Sequence, residues 1–133
     1  MYNALMKPEE SWENFVERKG HKEQKEIKMK DISRKGKHVF LREAFTFQVQ
    51  HNHPNKYFTI ERLKYLRFEG DRRGIANPSS AKAGGREYRF CYYIVGKNGS
   101  KKGKWTWGQY CPIIPIKDYK ILMKKAEDDG VIV

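Results

Sequence analysis

Long apolar runs are absent from this sequence of 133 residues: none approaches the ~18 residues that a membrane-crossing helix needs. Met1–Glu10 lacks the hydrophobic stretch of a secretory leader, and a soluble, cytoplasmic protein with no membrane partner is the expectation. Cysteine is scarce. Cys91 and Cys111 have no CxxC spacing, so the two are expected as reduced, packed thiols rather than as a zinc pair. There is no phosphate-binding loop either, since Gly84-Gly85 and Gly96-Lys97-Asn98-Gly99 lack the P-loop order. Negative charge is thin as well, with 16 Asp and Glu against 28 Lys and Arg. In and next to the most basic part of the chain the acids Glu61, Glu69 and Asp71 do not form the Asp…Glu-x-Lys layout that holds Mg²⁺ over a phosphate.

What is present is positive charge and aromatic surface. The formal net charge is +12, and aromatics make up 14% of the chain, enough for one compact core in a chain of this length. Residues 62–104 carry twelve Lys and Arg against three acids, so nine of the twelve excess charges fall in a third of the sequence. A concentrated block of this kind points to a face for an anionic partner, whereas the bland alternative is a solvated surface.

The pattern predicts a single α+β domain: an antiparallel sheet of three to four strands, with an N-terminal helix and a C-terminal helix packed on one face. Residues 1–37 read as a helix plus polar linker. Pro8, the acids Glu9, Glu10 and Glu13, the stripe Trp12, Phe15 and Val16, and Gly20 mark the helix. The linker has room for an edge strand at Glu26–Ile32. Residues 38–69 read as a strand followed by a helix. Val39, Leu41, Phe45, Phe47 and Val49 alternate with a polar face of Arg42, Thr46, Gln48 and Gln50. Thr59 is placed to cap a helix that buries Ile60, Leu63 and Leu66. Residues 70–86 form a basic loop rich in glycine. Residues 87–133 read as a β-hairpin turning at Asn98-Gly99, then a helix capped by Asp118 with Tyr119, Leu122, Met123 and Ala126 inward and a fraying last turn at Asp128 and Asp129. If hairpin partners sum to 202, Gly96 faces Thr106 and Cys91 faces Cys111.

The hairpin with its preceding loop is the strongest candidate site. Arg72, Arg73, Lys82, Arg86, Arg89, Lys97, Lys101, Lys102 and Lys104 are expected to contact phosphates, with Tyr93 or Trp105 as a stacking platform for a base. This implies non-enzymatic nucleic-acid binding, DNA slightly ahead of RNA, with no cofactor, because a two-stranded ribbon fits the major groove. Two other classes fit the same residues: a small adaptor or inhibitor, of the phage or mobile-element type, docking on an acidic protein, and a small nuclease. For the last, His38, His51 and His53 are the candidate acid–base groups. His51-Asn52-His53 also invites a metal, but a third and fourth ligand are not evident, and a polar turn is the expected reading.

Overall fold

The computed structural model describes residues 6–20, 24–31, 35–70, 83–108 and 110–133. Helix α1 (Trp12–Arg18) comes first, followed by strands β1 (Lys25–Lys30), β2 (Gly36–Gln50), β3 (His53–Gly70), β4 (Arg86–Val95) and β5 (Trp105–Trp107), and helix α2 (Ile116–Asp128) closes the chain. The five strands form one antiparallel sheet in the order β1-β2-β3-β4-β5, a meander with one strand more than expected. No helix among the described residues is long and apolar enough to cross a membrane.

The segment expected as a helix at 58–67 is the middle of β3, an 18-residue strand. At ~3.3 Å per residue a straight strand of that length would span roughly 60 Å. A compact chain of this size has a radius of gyration of only ~14 Å, so the sheet has to curl. Register shifts in the β2–β3 pairing at Val39/Phe40, Arg42/Ala44 and Val49/Gln50 supply the bends. They also overturn the expected polar face of β2, where Arg42 and Thr46 are buried while Leu41, Phe45, Phe47 and Val49 are only half-buried. Period two is hard to see in β3 because both of its faces are covered.

The helices take opposite faces of the sheet rather than one. Adjacent residues of β4 show this: Tyr93 packs with α1, and Tyr92 packs with α2. Ser11 caps α1 by accepting the Asn14 amide hydrogen at 3.1 Å. From there Trp12 stacks on Tyr57 at a centroid distance of 4.0 Å and meets Phe47 and Trp105 edge-on. On the other face Leu122 and Ala126 of α2 are fully buried against Phe58, Ile60 and Tyr92, while Tyr119 stays exposed. The cap of α2 is Pro115, not Asp118. Asp118 is fully buried one turn in, where it accepts the His51 backbone N–H at 3.0 Å and bonds the His51 ring at 2.8 Å. The last turn is held, not frayed: Thr46 donates its hydroxyl to Asp129 at 2.8 Å, and Gly130 turns the chain at φ +71°.

Candidate nucleic-acid interface

Strands β4 and β5 form the expected hairpin, with a register two residues away from expectation. Tyr93 faces Trp107, Ile94 faces Thr106 and Val95 faces Trp105. Cys91 and Cys111 are therefore not partners; the first is buried and the second exposed. Between the strands the tip is folded tightly. The Gly96 amide donates to the Lys104 carbonyl at 3.0 Å, Gly103 donates to Gly96 at 2.9 Å and Lys104 donates to Lys101 at 2.9 Å. A side chain at Gly96 would collide with the Lys101 backbone, so glycine is required there. From the N-terminal side, the Glu9 amide donates to the Gly103 carbonyl at 2.8 Å and ties the tip to the segment leading into α1.

This rigid tip presents Lys97, Lys101, Lys102 and Lys104 to solvent. Among the described residues, no carboxylate forms an ion pair with any of the four. Lys101 and Lys104 also line a cleft of about 340 Å³ whose opposite wall carries Arg18 and Lys19 from the end of α1. The cleft contains Glu9 and Glu10, but Glu10 is already held by Arg18 at 2.6 Å, and that hydrogen bond pulls its carboxyl below the usual range.

The arginines of the basic block behave differently. Arg86 binds Glu43 at 2.8 Å, and Arg89 binds Glu61 at 2.7 Å. Arg67 joins Glu26 and Glu69, both at 2.9 Å. Arg62 donates to the Gly130 and Val131 carbonyls at 2.8 and 2.9 Å and so fastens the end of α2 to the sheet. All four are engaged by partners within the fold, so a phosphate has to share Arg86 and Arg89 with Glu43 and Glu61. Arg72, Arg73 and Lys82 lie outside the described residues.

The proposed stacking platform is corrected by burial. Tyr93 and Trp105 are each 8% exposed, and the Trp105 indole donates to the Glu10 carbonyl at 3.0 Å. Both rings belong to the core under α1. The open indole of the hairpin is Trp107, 37% exposed, on the same face as Trp105 but beyond the helix. A helix of seven residues is only ~10 Å long, so it covers one of the two tryptophans. That short reach is the signal by which sequence reasoning had a chance to separate them.

The histidines are used singly. His38 bonds Asp31 at 2.8 Å and the Tyr65 hydroxyl at 3.0 Å. His51 is engaged by Asp118, and burial lowers the pKa of His53. Among the described residues no three His, Cys, Asp or Glu side chains gather into a metal site. Glu61 and Glu69, weighed as acids for a nuclease centre, are held in the ion pairs above. Compared with known protein families, with curated protein sequences and with solved structures, the chain finds no significant match in any of the three.

Proposed function

We propose that the protein is a non-enzymatic nucleic-acid-binding module that sets the Lys97–Lys104 tip and the adjoining end of α1 against a phosphate backbone. One observation carries the reading: four exposed ammonium groups on a tip fixed by its own backbone bonds, while the neighbouring Arg86 and Arg89 are paired with carboxylates of the sheet. Lysines that keep their charge free release counterions when phosphates replace them, which is the main source of sequence-independent affinity. A ribbon of this width suits a major groove, and duplex DNA is therefore favoured over RNA. A cytoplasmic setting belongs to the same reading. The test is a gel-shift panel of single- and double-stranded DNA and RNA at two salt concentrations. Binding weakens by roughly 0.9 log units per log unit of salt for each phosphate contacted on duplex DNA. Lys101→Ala with Lys102→Ala lowers that slope; an unchanged slope removes the tip from the interface.

A second reading, docking on an acidic protein, is favoured by a different surface. Tyr110, Ile113, Ile116 and Tyr119 are 79%, 85%, 76% and 45% exposed along the entry to α2, beside Lys117 and Lys120. A pull-down from nuclease-treated lysate separates the two. A stoichiometric protein that is lost on Ile113→Asp with Ile116→Asp favours docking, and loss of every partner with the nucleic acid favours the first reading.

A further inference from the structure

The sheet has two unlike edges. β1 is guarded by Lys25, Lys28 and Lys30, and Lys28 and Glu26 are tied to Glu69 and Arg67 of β3 at 3.0 and 2.9 Å. Lysine along an edge resists the addition of a further strand. At the opposite edge β5 is short and pairs only with Tyr93–Val95 of β4. The rest of β4, from Arg86 to Cys91, has β3 on one side, and the described residues place no strand on the other. The Gly108 amide donates to the Tyr92 carbonyl at 2.8 Å and the Gly96 amide to the Lys104 carbonyl at 3.0 Å, so the even-numbered residues of β4 turn their backbone groups outward. The β3–β4 register is unbroken from Lys56↔Ile94 to Lys64↔Arg86, and the alternation carries down the strand. The N–H and C=O groups of Arg86, Tyr88 and Phe90 therefore face away from β3, and among the described residues nothing receives them. Their rings are open as well, Tyr88 being 43% and Phe90 37% exposed. An unpaired aromatic edge is a template for another strand.

We propose that this edge is a homodimer interface, in which β4 pairs antiparallel with β4 of a second copy about a two-fold axis through Tyr88. The order of residues along the strand selects this occupant. With Tyr88 on the axis, Arg86 meets Phe90 and Glu87 meets Arg89 of the second copy, and symmetry makes each contact twice. Glu87 forms no ion pair among the described residues, and Arg89 is held in place by Glu61 at 2.7 Å. Opposite charges directly across two strands stabilise their pairing, and like charges oppose it. Moving the axis to Glu87 or to Arg89 sets two carboxylates or two guanidinium groups face to face, so the neighbouring registers are disfavoured. In the favoured one Tyr88 exchanges both of its outward backbone bonds with Tyr88 of the second copy, and Arg86 does the same with Phe90. The contact is short, and the net charge of +12 opposes it at long range, so the dimer is weak and depends on concentration.

Sedimentation of the full chain, freed of nucleic acid and in salt that screens the net charge, tests this over a range of concentrations. The expected result is a monomer that passes to a dimer as concentration rises. Glu87→Arg and Phe90→Lys, both at exposed positions, each weaken the dimer by about tenfold or more, because every change enters the interface twice. Oxidative cross-linking with diamide reads the register. In a Cys111→Ser chain, where the remaining Cys91 is buried, Tyr88→Cys places two thiols on the axis with Cα atoms about 5.5 Å apart, within disulfide reach, and the copies link. Phe90→Cys in the same background is the control, since its two copies lie roughly 13 Å apart along the strands and do not link. Lys101→Ala with Lys102→Ala leaves the dimer unchanged, so this interface and the hairpin reading fail independently. A monomer at every concentration overturns the proposal and leaves the edge to a strand of a different protein. A dimer indifferent to both Glu87→Arg and Phe90→Lys overturns it as well, as does a Phe90→Cys chain that links as readily as the Tyr88→Cys chain.

Discussion

Single residues on the sheet are fixed by charge as much as by apolar burial. Glu61 holds two guanidinium groups with its side chain only 3% exposed. Glu61→Ala leaves both cations without their carboxylate and is expected to cost about 3–5 kcal/mol, read as a fall in the urea midpoint. Replacing Arg42 and Glu61 together by apolar residues of similar volume is expected to recover much of that loss. Glu43 gives the pH dependence. The hydrogen bond from Arg86, and less strongly that from Arg62, holds its carboxyl below the ordinary range. The unfolded chain therefore takes up this proton first. The contribution is complete above the ordinary Glu value of about 4.3 and is lost as pH falls through the depressed native one. Urea midpoints measured down that range fall, and Glu43→Gln flattens the fall. These pairings were not legible beforehand: Arg42 and Glu61 are far apart in sequence, and a polar residue in a strand reads as facing water until the bulges at Val39/Phe40 and Arg42/Ala44 are known.

Among the elements, those with a local signature were readable. α1 shows its cap, its acids and its three-residue stripe; the hairpin shows two aromatic runs around Asn98-Gly99; α2 shows Leu122 and Ala126 one turn apart. β3 was not readable as a strand, because Ile60, Leu63 and Leu66 have helical spacing as well as a place in a strand covered on both sides. Its true partners, residues 36–50 and 86–94, lie outside any local window. The dependence of α2 on this sheet is measurable. Leu122→Ala opens a cavity beneath a fully buried side chain, and a loss of about 2–5 kcal/mol is expected from chemical denaturation. If the loss is below about 1 kcal/mol, α2 is not seated on Phe58 and Ile60 as described.

Across the whole molecule, the excess of basic residues divides by type. Described arginines of the 62–104 block are committed to carboxylates and carbonyls, and the tip lysines are left to solvent. Concentration of charge was visible in the sequence; which cations remain available was not, because their partners Glu26, Glu43 and Gly130 lie outside the block. In the salt-dependence experiment Arg86→Gln is accordingly expected to leave the slope near its original value, while the double lysine variant lowers it. An Arg86 effect as large as the lysine effect would show that the carboxylate pairing is surrendered on binding.

The meander order has a consequence for how the chain acquires this shape. Every strand hydrogen-bonds to the one made just before it, so during synthesis the hairpins β1–β2, β2–β3 and β3–β4 can zip up in turn as they leave the ribosome. Neither helix has that freedom. α1 precedes the strands, yet its Trp12 packs on Phe47, Tyr57 and Trp105, and α2 follows all of them. A nascent chain halted before residue 105 would therefore lack Trp105 beside Trp12 and α2 on the opposite face, so the greasy side lined by Phe58 and Ile60 stays bare until the stretch beyond β5 has emerged.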